Sequence, residues 1–369
     1  MRLLHVVPTY LPARRYGGPI VAVHGLCRAL AARGHDVDVF TTNVDGDGVL
    51  DVPVGEPVDL DGVQVRYFPS PMPRLYWSPA MRRALAATVR DYDLVHVHAI
   101  WLWPGYAASR AAHRAHVPYV ISPRGMLVPE LIDRKSRLVK RAWLALIERR
   151  NFAQASTIHF TSAVERDDAV RTGMPLPSPF IVPNGIDLVP RPEVARDENT
   201  IAFLGRINWK KGLDRAIELL TKLDARLIIA GNDEENLTPK LRELAEKLGV
   251  AERVTFAGPV YGAAKWELLA RATLFVLLSM SENFGNAVLE ALMMETPAVL
   301  SPEVGLADDV VRADAGITGV DAIPALLADR ARRAAMGRNG RALVEAKFTW
   351  PHVAAAMEDA YRCSIKSRP

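Results

Sequence analysis

One pattern runs twice along the chain: a short run of β-branched and other apolar residues, a turn, and then an amphipathic segment of helix length. Strands that alternate with helices form parallel sheets covered by helices on both faces. The strands predicted in the front half are Leu3–Val7, Val37–Thr41, Val63–Phe68, Leu94–His98, Tyr119–Ser122, Thr157–Phe160 and Phe180–Val182. Those predicted in the back half are Thr200–Leu204, Arg226–Ala230, Val254–Ala257, Leu274–Leu278 and Ala298–Leu300. The pattern therefore predicts two doubly wound α/β domains.

A segment rich in proline and glycine separates the two halves. Pro183-Asn184-Gly185 and Val189–Glu193 are typical of a linker, which places the boundary near residues 185–199. A length of 369 residues also favours two domains over one. The end of the chain is different, because helices predicted at Ala322–Ala346 and Val353–Ser364 are not followed by another strand.

Composition narrows the class of protein. Hydrophobic residues make up 49% of the chain and charged residues 24%, which is the balance of a folded globular protein. The net charge of +4 is too small to indicate a nucleic-acid partner, although residues 1–185 carry a surplus of six positive charges. Two cysteines, Cys27 and Cys363, argue against a disulfide framework or a structural zinc site and favour a reducing compartment. No apolar stretch approaches the ~20 residues of a membrane span, so a cytoplasmic protein is expected.

Glycine-containing turns follow the first strand of each half. In the front half, Tyr16-Gly17-Gly18-Pro19 allows close approach of a ligand and begins a helix whose free amides can bind phosphate. In the back half, Gly205-Arg206 and Lys210-Lys211-Gly212 add the cations that a diphosphate requires. A plain tight turn and a solvated basic turn are the respective alternatives, and neither segment contains Gly-x-Gly-x-x-Gly or a Walker motif.

A third motif lies at a later strand-to-helix turn, Ser281–Leu292. Gly285 and Asn286 can present backbone amides to a phosphate or a sugar, and Glu290 lies about one turn into the following helix. The eight residues from Glu282 to Glu290 rise ~12 Å in a helix. That separation exceeds the ~5–10 Å between the two carboxylates of a glycoside hydrolase, so two separate contacts along one ligand are predicted.

These motifs together resemble family 4 of the retaining glycosyltransferases, which have the GT-B fold. The resemblance rests on Glu282-x7-Glu290 with Phe284-Gly285, on Gly205-Arg206 and Lys211-Gly212, and on an ordered set of further segments. Those segments are Gly17-Gly18, Arg33–Val37, Asp93–His98 and Pro183–Asp187. The resemblance covers nearly the whole chain. It implies two Rossmann-like domains facing a cleft, with residues 1–190 binding the acceptor, residues 191–349 binding the nucleotide-sugar donor, and residues 350–369 returning to the first domain.

The resemblance also implies a donor site. Arg206 and Lys211 would hold the diphosphate, Glu290 the ribose hydroxyls, and Glu282 the hexose at the reacting centre, with Gly17 and Gly18 closing over the diphosphate. The remaining donor contacts implied are Val260, Lys265, Asn283, Phe284, Gly285 and Asn286. The residues expected to act in catalysis are Glu282, His98, Arg206 and Lys211.

One position departs from the family pattern. Many relatives have a histidine just after the strand that here ends Ser122-Pro123-Arg124-Gly125. Arg124 is therefore expected to bind the acceptor, with His98 as the nearest histidine at a strand end; a structural role for His98 is an equal alternative. No metal and no other cofactor are expected, because the Asp-x-Asp pairs lie outside the back-domain turns and the segment from Asn43 lacks the glutamate of a calcium loop.

The segment Arg134–Arg150 carries seven cations and one anion, interleaved with Leu138, Trp143, Leu144 and Ile147. It is predicted either to lie on an anionic membrane, at the inner face of the cytoplasmic membrane, or to form an ordinary core-facing helix with a basic solvent face.

The function that the resemblance implies is transfer of a hexose from a UDP- or GDP-sugar to an acceptor hydroxyl, with a lipid-linked oligosaccharide of bacterial exopolysaccharide or lipopolysaccharide synthesis as the expected acceptor. A sugar-nucleotide epimerase with the same fold and a non-catalytic lipid- or partner-binding protein are the alternatives.

Overall fold

The chain divides into two compact units. A computed structural model describes residues 1–13, 17–134 and 136–366, so Tyr16 and Lys135 of the predicted motifs lie outside the described residues. Unit 1 contains residues Met1–Gly185 together with the last helix, and unit 2 contains Ile186–Thr349. The contact boundary after Gly185 lies at the start of the linker segment.

Unit 1 contains an eight-stranded sheet and a small hairpin. Its strands are β1 (Arg2–Val6), β2 (Asp36–Thr42), β3 (Val44–Asp45), β4 (Gly48–Val49), β5 (Pro57–Leu60), β6 (Val63–Phe68), β7 (Leu94–His98), β8 (Tyr119–Ser122), β9 (Thr157–Phe160) and β10 (Phe180–Ile181). The order in the sheet is β10-β9-β8-β7-β1-β2-β6-β5, and all pairs are parallel except β5 with β6. The strands β3 and β4 form a separate antiparallel hairpin.

Helices cover both faces of this sheet. They are α1 (Gly18–Ala32), α2 (Pro79–Thr88), α3 (Trp103–Ala115), α4 (Pro129–Arg134), α5 (Arg137–Trp143), α6 (Arg149–Ala153), α7 (Ala163–Arg171) and the last helix of the chain, α15 (Trp350–Lys366). Alternate residues of a strand point to opposite faces. Leu3 and Leu94 accordingly pack in one apolar cluster with residues of α1 and α15, whereas Leu4 and Val95 pack in another with residues of α2 and α3.

The last helix is built into unit 1 through close packing and an ion-pair cluster. The indole of Trp350 lies so near Gly25 and Gly185 that a Cβ there would approach it to 2.1 and 2.5 Å, respectively. Glu358 of α15 pairs with Arg33 at 2.7 Å and with Arg362 at 2.6 Å. These contacts explain why a helix from the end of the chain belongs to the first unit.

We expect Glu358→Gln to destabilise unit 1 in a pH-dependent manner. Hydrogen bonds from Arg362 and Arg33 lower the pKa of Glu358 to about 2. A lowered carboxyl pKa stabilises the folded state above the unfolded value, ~4.3, and this contribution is lost as the pH falls through about 2. Glu358→Gln should therefore lower the free energy of unfolding by ~1–2 kcal/mol at pH 7 and by much less near pH 2. Urea unfolding at several pH values measures this difference. The exposed Glu56→Gln is the control, and an equal loss at both pH values would contradict the assignment.

Unit 2 contains a six-stranded parallel sheet. Its strands are β11 (Thr200–Leu204), β12 (Arg226–Ala230), β13 (Val254–Gly258), β14 (Leu274–Leu277), β15 (Ala298–Leu300) and β16 (Gly316–Thr318), in the order β13-β12-β11-β14-β15-β16. Its helices are α8 (Leu213–Leu219), α9 (Thr238–Lys247), α10 (Gly262–Arg271), α11 (Asn286–Met293), α12 (Ala307–Arg312), α13 (Ile323–Ala328) and α14 (Arg330–Lys347). One continuous apolar cluster joins the sheet to these helices.

The predicted fold class is confirmed: both units are doubly wound α/β structures with parallel sheets. The prediction of one ordinary helix within Arg134–Arg150 was too simple, because a π-helical stretch at Leu144–Glu148 separates α5 from α6. The prediction of one helix over Ala322–Ala346 was also wrong, because the backbone leaves the helical region at Asp329, whose carboxylate accepts a hydrogen bond from Arg332 N at 2.8 Å and begins α14. Within the described residues, every helix is too short or too polar to cross a bilayer.

Candidate active site

The predicted donor residues of unit 2 lie at the point where its sheet changes winding direction. Strands β12 and β13 follow β11 on one side, and β14 and β15 continue on the other. Ligands of open α/β sheets bind at the carboxyl ends of the strands beside such a point. The loops after β11 and β14 meet there, since Met280 N donates a hydrogen bond to Lys210 O at 2.7 Å.

The loop after β11 has a conformation that depends on one glycine. Asn208 accepts a hydrogen bond from Lys210 N at 3.2 Å and begins a short 3₁₀ turn over Trp209–Lys211. Gly212 then adopts a φ of 65°, and a Cβ on it would lie 2.0 Å from Leu278 O. Gly212 therefore lets the loop carrying Lys211 pack directly on the loop after β14.

Two cation–carboxylate pairs connect predicted donor residues, and a third joins Arg206 to a residue that was not predicted. The Lys211 ammonium donates a hydrogen bond to Glu282, and Lys265 Nζ lies 2.6 Å from Glu290 Oε1. Arg206 Nη1 lies 2.8 Å from Glu234 Oε1, in the loop after β12. The side chains of the first two pairs are 15–22% exposed, so they are partly screened from water and still accessible. The structure thus brings Lys211 to Glu282 and Lys265 to Glu290, as parts of one site would require.

The loop that carries Glu282 is held by backbone hydrogen bonds. Glu282 N donates to Glu303 O at 3.1 Å, and Gly305 N donates to Glu282 O at 2.8 Å. Gly285 has a φ of 98° and immediately precedes α11, whose first residue is Asn286. The chain turns here from a buried strand into a helix N-terminus, the end of a helix at which backbone amides can donate to an anion.

Some predicted donor residues have surroundings that limit their contribution. The Phe284 side chain is 5% exposed and packs against Phe348, so its predicted contact is restricted to its main chain. Val260 lies in the turn between β13 and α10 and packs partly against the core of unit 2. Asn283 lies in the turn between Glu282 and Gly285.

In unit 1, the loop after β1 leads into the predicted glycine turn. Gly17 has a φ of 71° and occupies the N-cap of α1, and Gly18 is the first residue of that helix. Left-handed φ values favour glycine because a Cβ would be strained there. The backbone conformation therefore explains why glycine occupies position 17, which the sequence motif only suggested.

Arg124 and two histidines form a hydrogen-bonded chain at the carboxyl ends of the strands of unit 1. Arg124 Nη1 donates to Asn184 Oδ1 at 2.8 Å, and Arg124 Nη2 donates to His98 Nδ1 at 3.2 Å. Neutral imidazole carries one hydrogen, so His98 must donate through Nε2 to His5 Nδ1, 2.9 Å away. Burial and the charge of Arg124 lower the pKa of His98 well below its usual value and that of His5 to about 3. Both histidines are therefore neutral at physiological pH.

A second series of hydrogen bonds connects the last helix to the sheet. His159 Nε2 lies 2.8 Å from the Val182 carbonyl, which can only accept, and Ser122 Oγ lies 2.6 Å from His159 Nδ1. Ser122 therefore donates to His159 and accepts from His96 Nε2 at 2.7 Å. His96 Nδ1 is left to accept from the Tyr361 hydroxyl at 2.5 Å. Each polar side chain in this buried series has a defined hydrogen-bond partner, and the donor and acceptor of each bond are known.

Three of these histidines could together hold a metal ion. In the described part of the chain, His5, His96 and His98 are the one group of at least three potential ligands whose nitrogens lie within 4.8 Å of one another. Both ring nitrogens of His96 and of His98 already take part in hydrogen bonds, and the Arg124 guanidinium lies beside His98. A positive neighbour opposes cation binding. The geometry favours a hydrogen-bond network over a metal centre.

Sequence reasoning missed Glu234 and most of the buried network of unit 1. Glu234 lies in an acidic loop that has no motif of its own. The histidines did leave a signal, since His5, His96 and His159 each interrupt an otherwise apolar strand. Their pairing with Ser122 and Tyr361 could be found only in three dimensions, because Tyr361 lies 265 residues from His96.

Superposition on solved structures shows that the two parallel-sheet units have the GT-B fold. A sucrose-phosphate synthase from Thermosynechococcus elongatus superposes with a TM-score of 0.78 over 99% of each chain at 20% identity. Anabaena HepE, solved with UDP-glucose, superposes with a TM-score of 0.73 over 98% of this chain and 100% of that one at 17% identity.

Sequence comparison gives the family. Residues 17–185 match the glycosyl transferase 4-like domain, and residues 189–343 match glycosyl transferases group 1. The D-inositol 3-phosphate glycosyltransferase of Xylanimonas cellulosilytica is 30% identical over 96% of this chain and 93% of that protein. The chain belongs to family 4 of the glycosyltransferases.

Proposed function

We propose that this glycosyltransferase moves a hexose from a nucleoside diphosphate sugar to an acceptor hydroxyl with retention of the anomeric configuration and without a metal. The observation that carries the proposal is the pairing of Lys211 with Glu282 at the winding change of the unit 2 sheet. A diphosphate would compete with Glu282 for the Lys211 ammonium. Its binding would release the Glu282 carboxylate to accept hydrogen bonds from the hexose hydroxyls.

The second pair extends the same site. Lys265 holds Glu290 at 2.6 Å, which fixes a carboxylate about one turn into α11, where ribose hydroxyls can donate to it. Arg206 would add a second cation to the diphosphate. The likeness to a structure solved with UDP-glucose supports a uridine nucleotide as the donor.

The transfer step requires stabilisation of the leaving diphosphate. The acceptor oxygen forms a bond to the anomeric carbon on the face that the diphosphate leaves, and the carbon–oxygen bond to the diphosphate breaks. The acceptor proton passes to the departing phosphate oxygen, so the products are a glycoside and a nucleoside diphosphate. Lys211, Arg206 and the amides near Gly285 would stabilise the charge that develops on the diphosphate.

Thermal unfolding with UDP-, GDP- and ADP-sugars tests the donor assignment, because a ligand that binds the folded state raises its stability by mass action. NMR of the product reports the anomeric configuration. The proposal fails if none of these nucleotides raises the midpoint, or if the product is inverted.

Chelation tests metal independence. We expect treatment with EDTA followed by dialysis to leave the transfer rate unchanged, since cationic side chains and backbone amides neutralise the diphosphate. The measurement is release of nucleoside diphosphate before and after treatment. Loss of the rate with recovery on adding Mn²⁺ would contradict the metal-free mechanism.

Unit 1 is proposed to bind the acceptor. Arg124 is the proposed acceptor-binding residue, and the two hydrogen bonds of His98 support a role in orienting Arg124. The excess positive charge of the front half supports a lipid-linked saccharide of exopolysaccharide or lipopolysaccharide synthesis as acceptor, on the cytoplasmic side of the membrane.

A basic and apolar surface on α5 and the π-helical stretch after it supports that choice of acceptor. Leu138, Val139 and Leu146 are 83, 68 and 78% exposed in the segment that also contains Arg137 and Arg141. Exposed apolar side chains among cations are typical of surfaces that lie on anionic lipid. We therefore propose peripheral membrane contact through this segment.

Vesicle binding tests the membrane contact. We expect the double variant Leu138→Ser, Leu146→Ser to sediment less with vesicles of anionic lipid. Burial of two leucine side chains in lipid contributes about 3–6 kcal/mol to membrane binding. Arg137→Glu should act in the same direction and depend more strongly on salt. The exposed Val170→Ser, in α7 and outside the segment Arg134–Arg150, is the matched control. Unchanged sedimentation of the double variant would contradict the proposal.

A further inference from the structure

Arg124 carries a positive charge that no neighbouring carboxylate balances. Its guanidinium contacts are to neutral groups, the Asn184 side chain and the His98 ring. Among residues 1–13, 17–134 and 136–366, no carboxylate lies within 4.0 Å of it. Its Nε is buried without a hydrogen-bond partner. Arg124 is half-buried, and placing a cation there with its Nε buried and no anion beside it is costly.

The acidic residue that acts on Arg124 cannot serve as that anion. Glu165 is buried, and its Oε1 accepts from Gly125 N at 2.6 Å. Its Oε2 accepts from Thr161 N and Oγ1, both at 2.7 Å. The loop after β8 thus holds one carboxylate oxygen and the turn after β9 holds the other, so the charge of Glu165 acts on Arg124 without a direct ion pair.

The histidines beside Arg124 add a further donor. Since Arg124 donates to His98 Nδ1, the hydrogen of His98 lies on Nε2 and points to His5 Nδ1. The hydrogen of His5 must then lie on Nε2, which is buried without a partner. The cluster therefore has two unpaired donors, Arg124 Nε and His5 Nε2, in addition to its positive charge.

The donor residues of unit 2 show the opposite arrangement. There, Arg206, Lys211 and Lys265 each have a carboxylate partner. An arginine that lacks such a partner is preorganised for an anion that comes from outside the chain.

We infer that the acceptor of this enzyme carries an anionic group, a phosphate or a carboxylate, and that Arg124 binds it. This inference rests on the proposed function. Arg124 has five N–H groups, of which the two known contacts use two, so three coplanar donors remain on the guanidinium to bind an oxyanion. His98 and Asn184 hold the guanidinium in place for that contact.

Anion titration tests the inference on the full chain. Calorimetry with inorganic phosphate, and separately with acetate, is performed with and without saturating UDP, which occupies the donor site. We expect Arg124→Gln to weaken binding of the preferred anion at least tenfold with UDP present, and Arg124→Lys to weaken it less. The stronger of the two anions identifies the acceptor group as a phosphate or a carboxylate. The exposed Arg114→Gln is the matched control and should bind as the wild type does.

Three outcomes would overturn the inference. One is a wild-type protein that binds neither anion, and another is an unchanged affinity in Arg124→Gln. The third is a tenfold loss of UDP affinity in Arg124→Gln, which would show that Arg124 binds the donor diphosphate instead. Failure of the wild type to bind UDP would contradict the proposed function, whereas the titrations without UDP still decide whether Arg124 binds an anion. If Arg124→Gln does not fold, Arg124→Lys and the shift of the His98 ring ¹⁵N resonances on adding phosphate to the wild type decide the question.

Discussion

Lys211→Ala should weaken the binding of UDP by about a hundredfold. A charged hydrogen bond to a phosphate contributes ~1.5–3 kcal/mol, and each ~1.4 kcal/mol changes an affinity tenfold. Lys211 is held at the winding change of the unit 2 sheet by the 3₁₀ turn Trp209–Lys211, so neighbouring cations are poorly placed to replace it. Calorimetry with UDP measures the change, and the exposed Lys222→Ala is the matched control.

The partner of Lys211 gives a contrasting expectation. In Glu282→Gln the Lys211 ammonium loses its carboxylate, so UDP should bind as tightly as in the wild type or several-fold more tightly. Hexose transfer should nevertheless fall, because the proposed contact of Glu282 is to the sugar. Equal UDP affinity in Lys211→Ala and the wild type would refute the assignment of the diphosphate site. A tenfold loss of UDP affinity in Glu282→Gln would contradict the proposed competition between Glu282 and the diphosphate.

Gly212→Ala should be the most destabilising single substitution in this site. Gly212 and Gly249 have nearly equal φ values, 65° and 69°, but their surroundings differ. A Cβ on Gly212 would lie 2.0 Å from Leu278 O, whereas no atom lies within 4 Å of a Cβ on Gly249. Gly249→Ala therefore has only the left-handed strain of ~1–2 kcal/mol, and Gly212→Ala adds displacement of a backbone carbonyl, for a total of ~3 kcal/mol or more.

The comparison of the two glycine variants separates strain from overlap. Thermal unfolding should show a clearly larger loss for Gly212→Ala than for Gly249→Ala. UDP affinity should also fall at least tenfold in Gly212→Ala, because Lys211 directly precedes the displaced residue, and should not change in Gly249→Ala. Equal unfolding temperatures for the two variants would contradict the prediction, because they would show that displacing the Leu278 carbonyl does not reduce stability.

The strands were the part of the fold that sequence patterns predicted well. Leu94–His98, Tyr119–Ser122 and Thr157–Phe160 are strands with the predicted bounds, because each is a buried apolar run between turn residues. Pro57–Leu60 and Gly316–Thr318 were missed, since both lie at sheet edges, where half-exposed residues weaken the apolar signal. The π-helical stretch Leu144–Glu148 was missed because a bulge of this kind leaves the apolar spacing almost unchanged.

The candidate site was predicted unevenly for a related reason. Glycines and cations at the ends of strands are visible in a sequence, so Lys211, Gly212 and Glu282 were found from local context and the family resemblance. The pairing of Lys211 with Glu282 joins residues 71 positions apart and depends on the order of strands in the sheet. The packing of the Phe284 side chain against Phe348 could not be read from the motif, because it depends on a residue far along the chain.

The amino-acid sequence by itself determined the two α/β domains, the region where the chain passes from one to the other, and the strand-to-helix turns in which the donor residues are proposed to lie. These features depend on periodicity and on turn residues, which act over a few neighbouring positions. Only the tertiary structure decided which cations have carboxylate partners. It left Arg124 with neutral partners and gave Lys211 a carboxylate, because burial and charge balance depend on residues that the fold brings together from distant parts of the chain.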